Sequence, residues 1–116
     1  MPRSFIIIIL FIIAVIFLVA CNKSGVTKNS DPCFGTTASF SADVNPIIQT
    51  YCNQPGCHSP GSFNGPGALT NYSQVFSARS RIRVQIEAGL MPQNATLSTT
   101  PRNKILCCID SGALNN

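Results

Sequence analysis

Charged residues, histidine and methionine are all scarce in this chain. Of its 116 residues only 10% are charged, and it contains one histidine, two methionines and no tryptophan. Beyond residues 1–20, seven basic residues stand against four acidic ones, a net charge of about +3. This charge is too small and too dispersed to indicate nucleic-acid binding. The remaining 96 residues have room for one domain and contain no internal repeat.

A long apolar run fills the start of the chain. Every one of the 16 residues from Phe5 to Ala20 is apolar. As a helix this run would measure about 24 Å, less than the ~30 Å hydrocarbon core of a bilayer. Together with the basic Arg3 before it, the run predicts a secretory signal peptide over residues 1–20, and an uncleaved N-terminal anchor is the alternative.

The end of this leader carries a second pattern. Leu18-Val19-Ala20-Cys21 resembles the lipobox of bacterial lipoproteins, and the resemblance implies cleavage before Cys21 and acylation of that cysteine. We therefore expect a protein of the cell envelope, lipid-anchored to a membrane and facing the periplasm or the cell surface. Thiols oxidise in these compartments, so disulfides are expected.

The mature chain divides into a tether and a domain. Residues 21–39 are mostly small and polar, which predicts a tether that follows the lipidated Cys21, with Cys33 as its exception. Residues 40–116 form the predicted domain. Because only about 36% of the mature residues are apolar, we expect a small core that needs a covalent staple or a cofactor.

The hydrophobic spacing of this domain predicts an all-α fold of three helices. The first runs from Phe40 to Cys52 with Ser41 as its cap and Pro46 in its first turns. Residues 53–67 hold three prolines and four glycines, which excludes a helix or a central strand there. A second helix follows Leu69 and stops at Gly89.

The last helix is predicted to open with Thr100 as cap and Pro101 at its first position. Its core face is expected to hold residues spaced three and four apart: Ile105, Cys108, Ile109 and Gly112. Cys107 points about 100° away from that face. Cys108 is therefore expected to be buried, and Cys107 to form a disulfide with Cys33.

The most informative motif lies in the long loop. Cys52 and Cys57 are separated by four residues, and His58 follows the second cysteine directly. Two thiols and an adjacent histidine are what covalent haem attachment requires: the thiols add across the vinyl groups and the histidine reaches the iron. The usual spacing is two residues, so this motif alone is weaker than the standard one.

Two counts strengthen this interpretation. His58 is the only histidine of the chain, and Met91 is the only methionine after the leader. An octahedral haem iron takes one ligand on each face. Met91 lies in a loop before Pro92, which favours an extended backbone at the methionine.

Together these features resemble a small class I c-type cytochrome. The Cys57-His58 pair, the Gly89-Leu90-Met91-Pro92 loop and the final helix are similar to those of lipid-anchored bacterial monohaem cytochromes whose attachment motif has four spacer residues. The resemblance covers residues 40–116. It implies a cytochrome c-like fold and one covalent haem c on Cys52 and Cys57.

The same resemblance assigns the iron ligands and the activity. It implies His58 as the proximal ligand, Met91 as the distal ligand, and electron transfer between redox partner proteins without enzymatic chemistry. Cys108 departs from the pattern, since these cytochromes often carry a tryptophan there.

Several alternatives remain open at this stage. Cys52 and Cys57 form a small disulfide in one of them, within a cofactor-free, stapled lipoprotein that acts as an interaction module. In another, Cys33, Cys52, Cys57 and His58 bind zinc. In a third, the sixth iron position is open and the protein is a haem sensor or a peroxidase.

A basic cluster on the second helix also has two interpretations. Arg79, Arg81 and Arg83 either neutralise haem propionates or dock an acidic partner, or they form a solvated face.

Overall fold

The computed structural model describes residues 31–116. Three helices make up its regular structure, and no strand occurs between residues 31 and 116. A π-helical turn, Phe40–Val44, continues directly into α1, Asn45–Tyr51; α2 is Tyr72–Glu87 and α3 is Thr99–Asp110. The predicted all-α class is therefore confirmed. The predicted signal peptide and the lipidated Cys21 lie outside the described residues.

The first helical segment begins two residues earlier than its predicted cap implies. Ser39, and not Ser41, is the N-cap: its hydroxyl accepts from the Ala42 N–H at 3.1 Å, and its own N–H donates to Asp43 Oδ2 at 2.8 Å. Ser41 instead bonds to the C-terminal residue: its N–H donates to the carbonyl of Asn116 at 2.9 Å. Pro46 lies at the start of α1, as expected.

Helix α2 has the extent that its apolar spacing indicates. Asn71 caps it by accepting from the Gln74 N–H at 3.1 Å. The helix ends at Glu87, and Gly89 follows with φ +68°, a conformation that favours glycine. The predicted stop at Gly89 is confirmed.

Helix α3 starts before the predicted Thr100 cap. Its N-cap is Ser98, whose carbonyl accepts from the Arg102 N–H at 3.2 Å, so Thr100 is already helical. Pro101 is the third residue of the helix and not the first. A proline is tolerated there because the N–H groups of a first turn have no partner within the helix.

The apolar interior lies between the three helices. Ile48 of α1 and Ile105 of α3 are fully buried at its centre. The rings of Phe40 and Tyr72 meet edge to face at 4.9 Å. Other members of this cluster are Val44, Cys52, Leu69, Val75, Ala78, Ile82, Ile86, Leu106 and Cys108.

The core face of α3 differs in part from its prediction. Ile105 and Cys108 are buried as expected, whereas Ile109 is half-buried and Gly112 is exposed beyond the end of the helix. Cys107 is also buried, although it lies outside the central cluster. Its burial accompanies the predicted disulfide to Cys33, which the structure contains, with the two Cα atoms 5.3 Å apart.

Residues 33–38 lie against α3 through two contacts. The first is the Cys33–Cys107 disulfide. The second is Lys104, whose Nζ donates to the Thr37 carbonyl at 2.6 Å and lies 3.3 Å from Asp43 Oδ1. The chain is thus attached to the helical body well before the first helix begins.

None of the helices between residues 31 and 116 is long and apolar enough to cross a bilayer.

Candidate functional site

The Cys52–His58 segment forms a closed turn at the end of α1. Cys52 is the C-cap of the helix, and its carbonyl accepts from the N–H of Gln54 at 2.9 Å and of His58 at 3.1 Å. The Cys57 N–H donates to the Gln54 carbonyl at 2.9 Å, and Gly56 between them has φ +77°. Four spacer residues therefore bring the chain back so that His58 lies directly against Cys52.

Both cysteines of this turn are free thiols. The small Cys52–Cys57 disulfide considered above is thus not formed in the structure. Cys52 is buried, and this burial, together with the neighbouring Cys57 thiol, raises the pKa of Cys52 to about 11. At neutral pH the Cys52 thiol is consequently protonated.

The alternative zinc set loses one of its four ligands. Cys33 pairs with Cys107 and has no thiolate to offer a metal. Across residues 31–116 no three His, Cys, Asp or Glu side chains come together closely enough to hold a metal ion. Cys52, Cys57 and His58 are close in sequence, but their side chains do not converge into a three-ligand metal site.

His58 is buried, and its ring has one defined hydrogen bond. Nδ1 lies 2.8 Å from the Gly67 carbonyl oxygen. A carbonyl oxygen only accepts, so Nδ1 carries a proton, and in the neutral ring Nε2 is the nitrogen with the free lone pair. Metal-binding histidines are commonly held this way, with the second ring nitrogen donating to a backbone carbonyl.

Met91 follows α2 in the predicted loop. Its N–H and that of Leu90 both donate to the Gln85 carbonyl, at 3.4 and 3.0 Å. The peptide bond between Met91 and Pro92 is cis. The Met91 side chain is half-buried and packs against the apolar cluster to which Cys52 belongs.

A polar row on α1 also ends beside the motif. Gln49 Nε2 donates to Asn45 Oδ1 at 3.1 Å and to the Leu69 carbonyl at 3.4 Å. The other side of the same amide, Oε1, accepts from Asn53 Nδ2 at 2.6 Å. Asn53 Oδ1 is left buried without a hydrogen-bond partner. The sequence analysis did not single out this acceptor, which follows Cys52 directly.

The donor set fits a covalently attached haem chemically. It comprises two free thiols, a histidine whose Nε2 lone pair is available, and a thioether packed on the same apolar cluster as the first thiol. The depression beside α2, about 400 Å³, lies elsewhere and is lined by Pro66, Ser73, Gln74, Ser77, Ala78 and Arg81. The fit therefore rests on the donor chemistry and on the hydrogen bond of His58.

Two of the three arginines of α2 have partners on the helical body. Arg83 donates to Asp110 at 2.6 and 3.1 Å and to Glu87 at 2.5 Å, and these carboxylates raise its pKa. Arg79 donates to the Phe76 carbonyl and stacks 4.0 Å over the Phe76 ring. Arg81 lines the open depression. Arg83 thus links α2 to α3, whereas the contacts of Arg79 stay within α2.

Comparison with known proteins adds no further assignment, since no protein-family model, curated protein or solved structure matches this chain.

Proposed function

We propose that this protein is a monohaem c-type cytochrome that carries single electrons between partner proteins. The observation that carries the proposal is the hydrogen bond made by the ring of the only histidine. His58 follows Cys57 directly, and its Nδ1–H is taken up by the Gly67 carbonyl, so that Nε2 is the atom left for a metal.

Four residues would hold the haem. Cys52 and Cys57 would form the two thioether bonds, and His58 Nε2 and the Met91 sulfur would bind the iron. When bound, the haem supplies an iron that alternates between Fe(III) and Fe(II). The chain has no second histidine, so it cannot make a bis-histidine iron from its own residues.

The chain's own groups set the conditions for electron transfer. The Gly67 carbonyl fixes the tautomer and the orientation of His58. A methionine ligand favours the reduced iron, so the reduction potential is expected to exceed that of a bis-histidine site. The apolar cluster of the three helices buries Cys52 and contacts the half-buried Met91.

The proposed location follows from the leader. Acylation of Cys21 would anchor the protein to a membrane of the cell envelope, and the tether would let the domain reach redox partners near that membrane. The Cys33–Cys107 disulfide is consistent with an oxidising compartment.

The proposal is tested by the visible spectrum of the full chain, produced in a host with haem-attachment machinery. We expect sharp reduced bands and a haem that stays with the protein through acidified organic extraction. Cys52→Ser with Cys57→Ser is expected to release the haem, whereas Cys108→Ser leaves both attachment thiols in place. A colourless wild-type protein would instead favour the cofactor-free, disulfide-stapled interaction module.

The second candidate is a haem sensor or peroxidase with an open sixth position. It is distinguished by adding carbon monoxide to the reduced protein. Slow or absent binding in the wild type, and fast, stoichiometric binding in Met91→Ala, are expected if Met91 is the ligand. Fast binding in both proteins would identify an open site.

A further inference from the structure

The loop between His58 and Leu69 contains a second set of hydrogen bonds, centred on a side chain that the proposed haem site does not use. Asn64 Nδ2 donates to the Gly56 carbonyl at 2.8 Å and reaches the Cys57 carbonyl at 3.3 Å. One amide group therefore holds the two residues that immediately precede His58.

Ser62 reinforces the same contact. Its hydroxyl donates to the Cys57 carbonyl and accepts from the Asn64 N–H, the latter at 3.2 Å. Ser62 and Asn64 thus both converge on the Cys57 carbonyl. A hydrogen bond to a carbonyl oxygen leaves room for a second one, because the oxygen has two lone pairs.

The backbone of Asn64 connects this contact to the histidine ring. The Asn64 carbonyl accepts from the Gly67 N–H at 2.9 Å, and the Gly67 carbonyl accepts from His58 Nδ1 at 2.8 Å. Gly65 lies against the ring, since a Cβ placed on it would be 3.8 Å from His58 Cε1. A path of hydrogen bonds therefore leads from the Cys57 carbonyl, through the side chain and carbonyl of Asn64 and through Gly67, to the ring of His58.

Glycine is required at the end of this turn. Gly67 has φ +87°, and a Cβ there would lie 3.4 Å from the Ser62 carbonyl oxygen. Two backbone hydrogen bonds hold this turn, from the Gly67 N–H to the Asn64 carbonyl and from the Leu69 N–H to the His58 carbonyl, both at 2.9 Å. The Asn64 side chain adds the contacts that join the turn to Gly56 and Cys57.

We propose that Asn64 is a positioning residue for His58: its amide clamps the loop so that the Gly67 carbonyl stays on Nδ1 and Nε2 is presented for ligation. The part that concerns iron rests on the function proposed above. A histidine that donates to a carbonyl is a more basic ligand and stabilises Fe(III). Loss of the clamp is therefore expected to raise the reduction potential.

The single histidine makes a direct test possible. The full chain, labelled with ¹⁵N only in histidine, gives ring signals from His58 alone. We would measure the exchange of the Nδ1 proton with deuterium and the midpoint potential in the wild type, Asn64→Ala and Asn64→Asp. Aspartate keeps the shape of asparagine but removes the N–H donor. Asn115→Ala is the matched control, because Asn115 is exposed and lies outside the clamp.

We expect the ring proton to exchange about tenfold faster in both Asn64 variants, the effect of losing roughly one hydrogen bond. Their potentials should rise, and the control should match the wild type in both measurements. Ser62→Ala, which keeps the Asn64 amide, should change the exchange rate and the potential in the same direction by less.

Unchanged exchange in both Asn64 variants, or an equal change in the control, would overturn the clamp. A wild-type chain without haem would contradict the proposed function, while the exchange rates would still decide the role of Asn64.

Discussion

The helical body and the Cys52–Leu69 loop are held together by different forces. The body encloses fully buried apolar side chains such as Ile48 and Ile105. The loop instead depends on hydrogen bonds among carbonyls, amides and hydroxyls, and its largest side chain, Phe63, is 97% exposed. Apolar burial therefore gives the domain its stability, whereas directional polar contacts fix the atoms of the candidate site.

Charge divides the two regions as well. No Asp, Glu, Lys or Arg occurs between Asp43 and Arg79, a stretch that includes α1 and the whole loop. The described ion pairs lie on the body, between Arg83, Asp110 and Glu87 and between Lys104 and Asp43. Added salt should consequently weaken the ion pairs of the body and have little effect on the uncharged loop.

The largest effect is expected from a cavity at the centre of the body. Ile105→Ala should lower the free energy of unfolding by about 2–5 kcal/mol, because Ile105 is fully buried. Urea unfolding followed by circular dichroism measures it. Val84→Ala is the control, since Val84 is 57% exposed on α2 and should change stability little. A loss at Ile105 as small as that at Val84 would mean that Ile105 does not lie in a packed core.

The disulfide is the next test. Cys33→Ala combined with Cys107→Ala should cost about 2–4 kcal/mol, because the bond closes a loop with a sequence separation of 74 residues. Urea midpoints of the wild type and the double variant should differ without reductant and converge when dithiothreitol reduces the wild type. Identical midpoints without reductant would contradict a stabilising bond.

A smaller effect on the free energy of unfolding is expected from the ionisation of Asp43, at the start of the first helical segment. The Ser39 N–H, and then Lys104, lower the pKa of Asp43. A carboxyl whose pKa is lower in the folded state stabilises the fold above its unfolded pKa of about 3.9, and this contribution is lost as pH falls through the folded pKa. Asp43→Ala should therefore be less stable than the wild type at pH 7 and equal to it at low pH. A difference that persists in acid would point to packing and not to charge.

The smallest effect is expected in the loop. Phe63→Ala should change the free energy of unfolding by less than about 0.5 kcal/mol, since the ring is almost completely exposed. Leu69→Ala, at the buried end of the same loop, serves as the comparison and should cost several times more. A large loss at Phe63 would show that the loop is also held by apolar packing.

The sequence predicted the body better than the loop. Periodic apolar residues located α2, and Gly89 marked its end, because both signals are local. The helical spacing placed Cys108 on the core face and left Cys107 to pair with Cys33, a disulfide that the structure contains, although Cys107 is itself buried. Both predicted caps, Ser41 and Thr100, lie two residues after the observed ones. Ser41 instead bonds to Asn116, a contact across the whole domain that no local pattern contains.

The candidate site shows the same limit. Residue type, spacing and scarcity made Cys52, Cys57, His58 and Met91 candidates. They did not predict the hydrogen bonds that Gly67 and Asn64 make around His58, although Asn64-Gly65 is a turn signal. Which carbonyl faces His58 depends on left-handed glycines and on side-chain contacts that close only in three dimensions.

The most direct measurement is the mass of the tryptic peptide Asn29–Arg79 from the reduced and alkylated full chain. This peptide contains Cys33, Cys52 and Cys57. If Cys52 and Cys57 carry the haem, the peptide has the added mass of one haem and one alkyl group, on Cys33. Three alkyl groups and no haem, on protein made in a host with attachment machinery, would contradict the proposed cytochrome.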